Sequence, residues 1–90
     1  MSNKFQIAET KLFSKKIHSM KFCHLYLKLT TYIYPQLKTN PFFGINIKKL
    51  KGSYNDYYRY RIADYRVFYK IDTQNVIVFL VDVDHRKNAY

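Results

Sequence analysis

Two hydrophobic periods divide this chain. Up to about residue 45 the apolar positions recur at helical spacing; beyond it they alternate. Lys4-Phe5-Gln6-Ile7-Ala8 reads as a short opening strand with Phe5 and Ile7 on one face. Thr10 is placed to cap a helix of about ten residues whose apolar stripe is Leu12, Phe13, Ile17 and Met20. Phe22, Leu25, Tyr26, Leu29 and Ile33 mark a second helix, which Pro35 should end or kink. Asn40-Pro41-Phe42-Phe43-Gly44 is a loop signal.

From Asn46 the period approaches two. Tyr57 to Ile62, Tyr65 to Ile71 and Val76 to Val83 read as strands rich in β-branched and aromatic residues. Ala63-Asp64 and Asp72-Thr73-Gln74-Asn75 are the turns between them. Connections this short predict an antiparallel three-stranded meander. The last strand is almost continuously apolar and is expected to lie centrally with both faces covered. The expected fold is therefore α+β: a short N-terminal strand, two helices, then the meander, with the helices on one sheet face. Residues 1–90 make one small domain, with no linker, repeat or low-complexity tract.

Charge adds a statement about partners. Sixteen Lys and Arg against six Asp and Glu give a net charge of +10, which favours nucleic acid, an anionic surface or an acidic protein. Residues 1–45 hold seven Lys and no Arg, whereas all four Arg lie between 59 and 86. The longest apolar run, Val76 to Val81, is far short of the roughly 18 residues of a membrane span. The opening residues carry no apolar signal segment, so a reducing cytoplasm is the expected setting. A lone cysteine, Cys23, allows no internal disulfide and no multi-cysteine metal site.

Strand alternation locates the candidate chemistry. Tyr57, Arg59 and Arg61 should share one face, and Arg66, Phe68 and Lys70 the same face of the next strand. Arg59, Arg61 and Arg66 would then converge on the face the helices leave open. Guanidinium forks crowded in this way suit a phosphate; a solvated face with Asp56 and Asp64 as counter-ions is the plainer alternative. Lys48, Lys49 and Lys51 could extend an anion-binding surface or be a solvated loop. In the tail, His85 beside Arg86 could pair an acid/base with a phosphate clamp, or be no more than a basic terminus. Asp82 and Asp84 alternate on one face without further acids nearby, and no metal site or cofactor is expected. Glycine-rich phosphate loops and Ser-His-Asp spacing are absent.

The runs Lys49-Leu50-Lys51-Gly52, Tyr58-Arg59-Tyr60-Arg61-Ile62-Ala63-Asp64-Tyr65-Arg66-Val67-Phe68-Tyr69 and His85-Arg86-Lys87-Asn88-Ala89-Tyr90 resemble the RelE/ParE superfamily of toxins. The order of strand, two helices and meander is similar to that family's as well. The resemblance implies the toxin of a type II toxin–antitoxin pair. RelE-like members cut mRNA on the ribosome; ParE-like members share the fold and poison DNA gyrase without cutting RNA. A cognate acidic antitoxin is the implied partner, with ribosome and mRNA as targets, operator DNA reached through the complex, and no membrane. For the nuclease, the resemblance assigns catalysis to Arg61, Arg66, His85 and Arg86, and RNA contacts to Lys49, Lys51, Arg59 and Tyr90. Ala63 stands where relatives often carry glycine.

Overall fold

The computed structural model describes residues 4–52 and 56–85. Five strands form one sheet in the order β1-β5-β4-β3-β2: β1 (Gln6–Glu9), β2 (Ile47–Lys49), β3 (Tyr57–Ile62), β4 (Tyr65–Asp72) and β5 (Ile77–His85). β3, β4 and β5 are the expected antiparallel meander. β1 lies parallel to β5 along its outer side, so β5 is interior to the sheet. The class is α+β, as the sequence predicts, with two differences in detail.

The first difference is β2, an edge strand paired antiparallel to β3 through Ile47–Tyr60, Lys48–Arg59 and Lys49–Tyr58. Its lysines read as a loop because an edge strand of this kind has no apolar alternation. Lysine on an edge strand also resists pairing with other chains. The second difference is that β5 has only one covered face. Val78, Leu80 and Val83 are buried, whereas Ile77 and Phe79 are half-buried on the other side.

The first helix, α1 (Lys11–Ile17), is shorter than expected. Thr10 caps it as predicted: its Oγ1 accepts from Phe13 N at 3.2 Å and donates to Leu80 O at 2.8 Å. One side chain thus starts the helix and ties it to β5. Phe13 and Ile17 are fully buried, but Met20 is 96% exposed and lies beyond the helix.

The second helical stretch does not stop at Pro35. It runs from a tight turn, Cys23–Leu25, through α2 (Tyr26–Lys28), a π-turn (Leu29–Ile33) and α3 (Tyr34–Thr39). Tyr34 N–H donates to Leu29 O, five residues back. That wide turn takes up the irregularity a proline forces on a helix, and Pro35 sits in the first turn of α3, where its missing N–H costs nothing.

The π-turn also sets the phase of two tyrosines. Residues eight apart on a regular helix are out of phase by about 80°. One extra residue in the turn makes Tyr26 and Tyr34 behave as though seven apart, within about 20° of each other. Both hydroxyls then donate to the same carboxylate oxygen, Glu9 Oε2, at 3.0 and 2.8 Å. Glu9 thereby ties β1 to the helices.

The helices cover the sheet face bearing Tyr60, Ile62, Val67, Tyr69, Val78, Leu80 and Val83, which with Phe13, Ile17, Leu29, Ile33 and Leu37 form the core. Buried phenols are satisfied: Tyr60 donates to Gln36 Oε1 at 2.7 Å and Tyr69 to Pro41 O at 2.7 Å. Among the described residues no helix is long and apolar enough to cross a membrane.

Ala63 turns the β3–β4 hairpin with φ 54°, a left-handed conformation that costs an L-residue energy and glycine none. The side chain is exposed, so nothing else is lost by removing it. Ala63→Gly is expected to stabilise the protein by about 0.5 kcal/mol after the added freedom of the unfolded chain is subtracted. In a domain of this size that is about 2–4 °C in thermal midpoint; a lower midpoint would contradict the strain.

Candidate functional site

The face away from the helices is organised in cross-strand rows. Arg61, Arg66 and Asp84 are direct partners on β3, β4 and β5. The next row runs Lys48, Arg59, Phe68, Asp82 from β2 to β5. A third holds Tyr57, Lys70 and Phe79, with Lys70 Nζ 5.3 Å from the Tyr57 ring centre. Alternation therefore brings Arg59, Arg61 and Arg66 together, as the sequence predicts. Like charges placed directly opposite on a sheet repel, so the Arg61–Arg66 partnership is unfavourable without an anion.

Among the described residues, neither Asp56 nor Asp64 pairs with an arginine. Asp82 is engaged elsewhere, with Oδ1 2.9 Å from Lys16 Nζ on α1. Arg59 Nε is shielded from solvent and meets no acceptor among the described residues. The face carries five cations, Lys48, Arg59, Arg61, Arg66 and Lys70, against three carboxylates, Asp72, Asp82 and Asp84; Asp82 is held by Lys16 and Asp72 accepts from the Asn75 turn.

His85 is not part of this face. Phe68 pairs with Asp82 and Tyr69 with Leu80, leaving Val81 as a bulged extra residue in β5. The bulge shifts the alternation: Val83 goes into the core, Asp84 comes into register with Arg66, Asp82 stands across from Phe68 with its carboxylate on Lys16, and His85 turns to the helix side. There its ring meets Tyr65 edge-on at 5.0 Å, and Tyr65 meets His24 at 5.2 Å and Phe22 at 6.0 Å. His85, which the resemblance groups with Arg61 and Arg66, thus lies on the opposite side of the sheet from them.

Lys49 also leaves the group, because it shares the helix side with Tyr58, its Nζ 6.0 Å from that ring centre. Its neighbour Lys48 takes the place on the arginine face. Lys51 is exposed beyond the end of β2. Arg86 and Tyr90 lie outside the described residues. The sequence reading puts Phe68 on the arginine face and offers Lys48 as an extension of an anion-binding surface, but names neither of them, nor Asp84, among its candidate site residues.

The helix side offers a second concavity, a groove of about 790 Å3 between β1 and the helical stretch. Its carboxylate, Glu9, is taken by Tyr26 and Tyr34. Both phenols are held above the ordinary tyrosine value, by burial first and then by the Glu9 contact. A paired carboxylate and two neutral phenols present no reactive group, so the groove is the weaker candidate. Among the described residues no three His, Cys, Asp or Glu side chains gather to hold a metal.

Comparison with known proteins bears on the same region. A family model described as the ParE toxin of the type II toxin–antitoxin system parDE matches residues 26–90. No curated protein matches the chain in sequence. Among solved structures, the RelBE2 toxin–antitoxin complex of Mycobacterium tuberculosis superposes with a TM-score of 0.78 at 20% identity over 94% of both chains. The archaeal RelE–RelB complex of Pyrococcus horikoshii gives 0.73 at 23% identity, covering 96% of this chain and 99% of the other. YafQ of Escherichia coli gives 0.70 at 16% identity, covering 97% and 99%. At such identities the likeness establishes the fold.

Proposed function

The chain belongs to the ParE toxin family of type II toxin–antitoxin systems, within the RelE/ParE superfamily; from the arginine row on its open sheet face we propose that it is an endoribonuclease toxin that cleaves mRNA on the ribosome. The observation that carries the reading is the row Arg61–Arg66–Asp84. Two guanidinium forks side by side suit a phosphodiester, whose charge is delocalised over the oxygens they would grip.

RNA supplies its own nucleophile. The 2′-oxygen attacks the neighbouring phosphorus, the P–O5′ bond breaks, and the products are a 2′,3′-cyclic phosphate and a 5′-hydroxyl. The proton leaving the 2′-hydroxyl needs an acceptor and the departing 5′-oxygen needs a donor. Arg61 and Arg66 would stabilise the additional charge on the phosphorane oxygens, where fixed donors contribute most. Asp84, in the same row, is our candidate acceptor. His85 is a weaker one because its ring packs on Tyr65 on the other side of the sheet. Arg59 and Lys48 would hold flanking phosphates. The cognate partner in this reading is an acidic antitoxin, whose charge opposes the net +10 of the chain.

A second reading is favoured by the position of His85: a ParE-like gyrase poison needs no acid/base on the arginine face. Inducible expression in a bacterial host followed by primer extension separates the two. Growth arrest with new 5′-hydroxyl ends inside translated codons is the expected result. Arrest with intact transcripts and accumulating gyrase-linked DNA breaks would transfer the case to the second reading.

A further inference from the structure

Phe68 lies on the arginine face, outside the core and outside the set of residues packed against it. It is half-buried, and among the described residues it has no ring partner. A large apolar ring left half-open on a charged face costs solvation unless something covers it. Its surroundings are unusual for a stray hydrophobe. Arg59 is its direct neighbour across the β3–β4 ladder, and Arg66 and Lys70 are its same-face neighbours along β4. On a sheet these lie about 5 Å across and about 7 Å along. The fourth side is Asp82, whose charge is engaged by Lys16 at 2.9 Å.

We propose that Phe68 is a stacking platform for one base of single-stranded RNA, with Arg59, Arg66 and Lys70 reaching the phosphates on either side of that base. The inference rests on the RNA reading above and adds to it a residue that orients the strand. The chemistry favours a single strand over other polyanions. Each nucleotide offers a flat π-face between two anionic linkers, which matches one ring among three cations. A duplex hides those faces in its own stack. An acidic peptide matches the cations but brings no ring at each step. A phosphate oxygen would also satisfy Arg59 Nε, the shielded donor that meets no acceptor among the described residues.

The test uses the full chain and a fluorescein-labelled single-stranded oligonucleotide of mixed sequence, 2′-O-methylated throughout so that binding is separated from cleavage. A second copy of the oligonucleotide carries 2-aminopurine to report stacking. Dissociation constants are measured across a salt series. Phe68→Leu is expected to weaken binding about tenfold to a hundredfold with the salt slope unchanged and the stacking signal lost. Phe68→Trp should restore both, which also shows that the leucine variant did not fail through misfolding. Arg59→Gln should instead lower the salt slope by about one. If the parent binds with a steep salt slope and Phe68→Leu binds equally well, the platform is wrong and the RNA reading survives. If the parent does not bind the oligonucleotide at all, the platform falls, and the RNA reading is decided separately by primer extension in cells.

Discussion

Arg61→Gln is expected to remove growth arrest and to leave the protein at least as stable as the parent. The two halves of this result have one cause. Arg61 stands directly opposite Arg66 across the β3–β4 ladder, where like charges repel. Relieving that repulsion stabilises the sheet by about 0.5 kcal/mol. On the proposed nuclease reading the same substitution removes a donor to the developing phosphorane, and the expected cost is about a hundredfold to a thousandfold in rate. Arg66→Gln should lose activity to the same extent. Arg61→Lys retains the charge but not the planar fork, and is expected to fall between parent and glutamine variant. Primer extension reads the cleavage and thermal unfolding reads the fold. Variants at both positions that still arrest growth and still generate new 5′ ends would remove the arginine row from the mechanism. A site that costs stability and supplies activity is the pattern expected where function has been favoured over packing.

Most of that site could be read from the sequence because strand alternation is strict where the ladder is regular. Counting from Ile62 and Val67 as core residues is enough to put Arg59, Arg61 and Arg66 on one face. Counting fails at β5, where one bulged residue, Val81, reverses the parity of everything after it. An unbroken apolar run conceals such a bulge, since any phase of Val-Ile-Val-Phe-Leu-Val looks equally buried. The family resemblance groups His85 with the arginines, and the shifted parity sends its ring to Tyr65. The helices show the opposite case. Leu25, Leu29 and Ile33 mark the buried stripe, and they remain buried although the stretch changes from α to π within them. A core tolerates that change when the extra residue falls on the solvent side. The π-turn itself has no apolar signature; its sign in the sequence is Pro35 inside a continuing helical pattern. β2 was hidden for a different reason, since two of its three residues are lysines and its pairing is made by backbone.

Alkaline unfolding should begin near pH 10 and be steep, because phenols in this fold are held in the neutral form. Tyr34 is buried and its hydroxyl donates to Glu9 Oε2, so ionising it would bury an anion against a carboxylate. Tyr69 is fully buried, with its hydroxyl on the Pro41 carbonyl oxygen, and burial first, then the neighbouring Tyr58 and Tyr60, raise it strongly. In both, the folded-state value lies well above the ordinary 10.0. Above pH 10 the unfolded chain therefore releases protons that the folded chain retains, and stability falls as pH rises. Below pH 10 the contribution is fully present. Two such groups together withdraw about 2.7 kcal/mol per pH unit, against a total of about 5–10 kcal/mol for a domain of this size. The lysines work the other way, since losing their protons relieves the repulsion of a +10 chain. That relief is spread over solvated surface charges and is screened by salt, so the buried phenols dominate. Circular dichroism and phenolate absorbance followed together should show Tyr34 and Tyr69 ionising only as the fold is lost. Tyr34→Phe with Tyr69→Phe should lower stability at neutral pH by about 1 kcal/mol per lost hydrogen bond and flatten the fall above pH 10. An unchanged alkaline midpoint in that double variant, or complete phenolate formation with the fold intact, would show that these two tyrosines do not hold the protein against alkali.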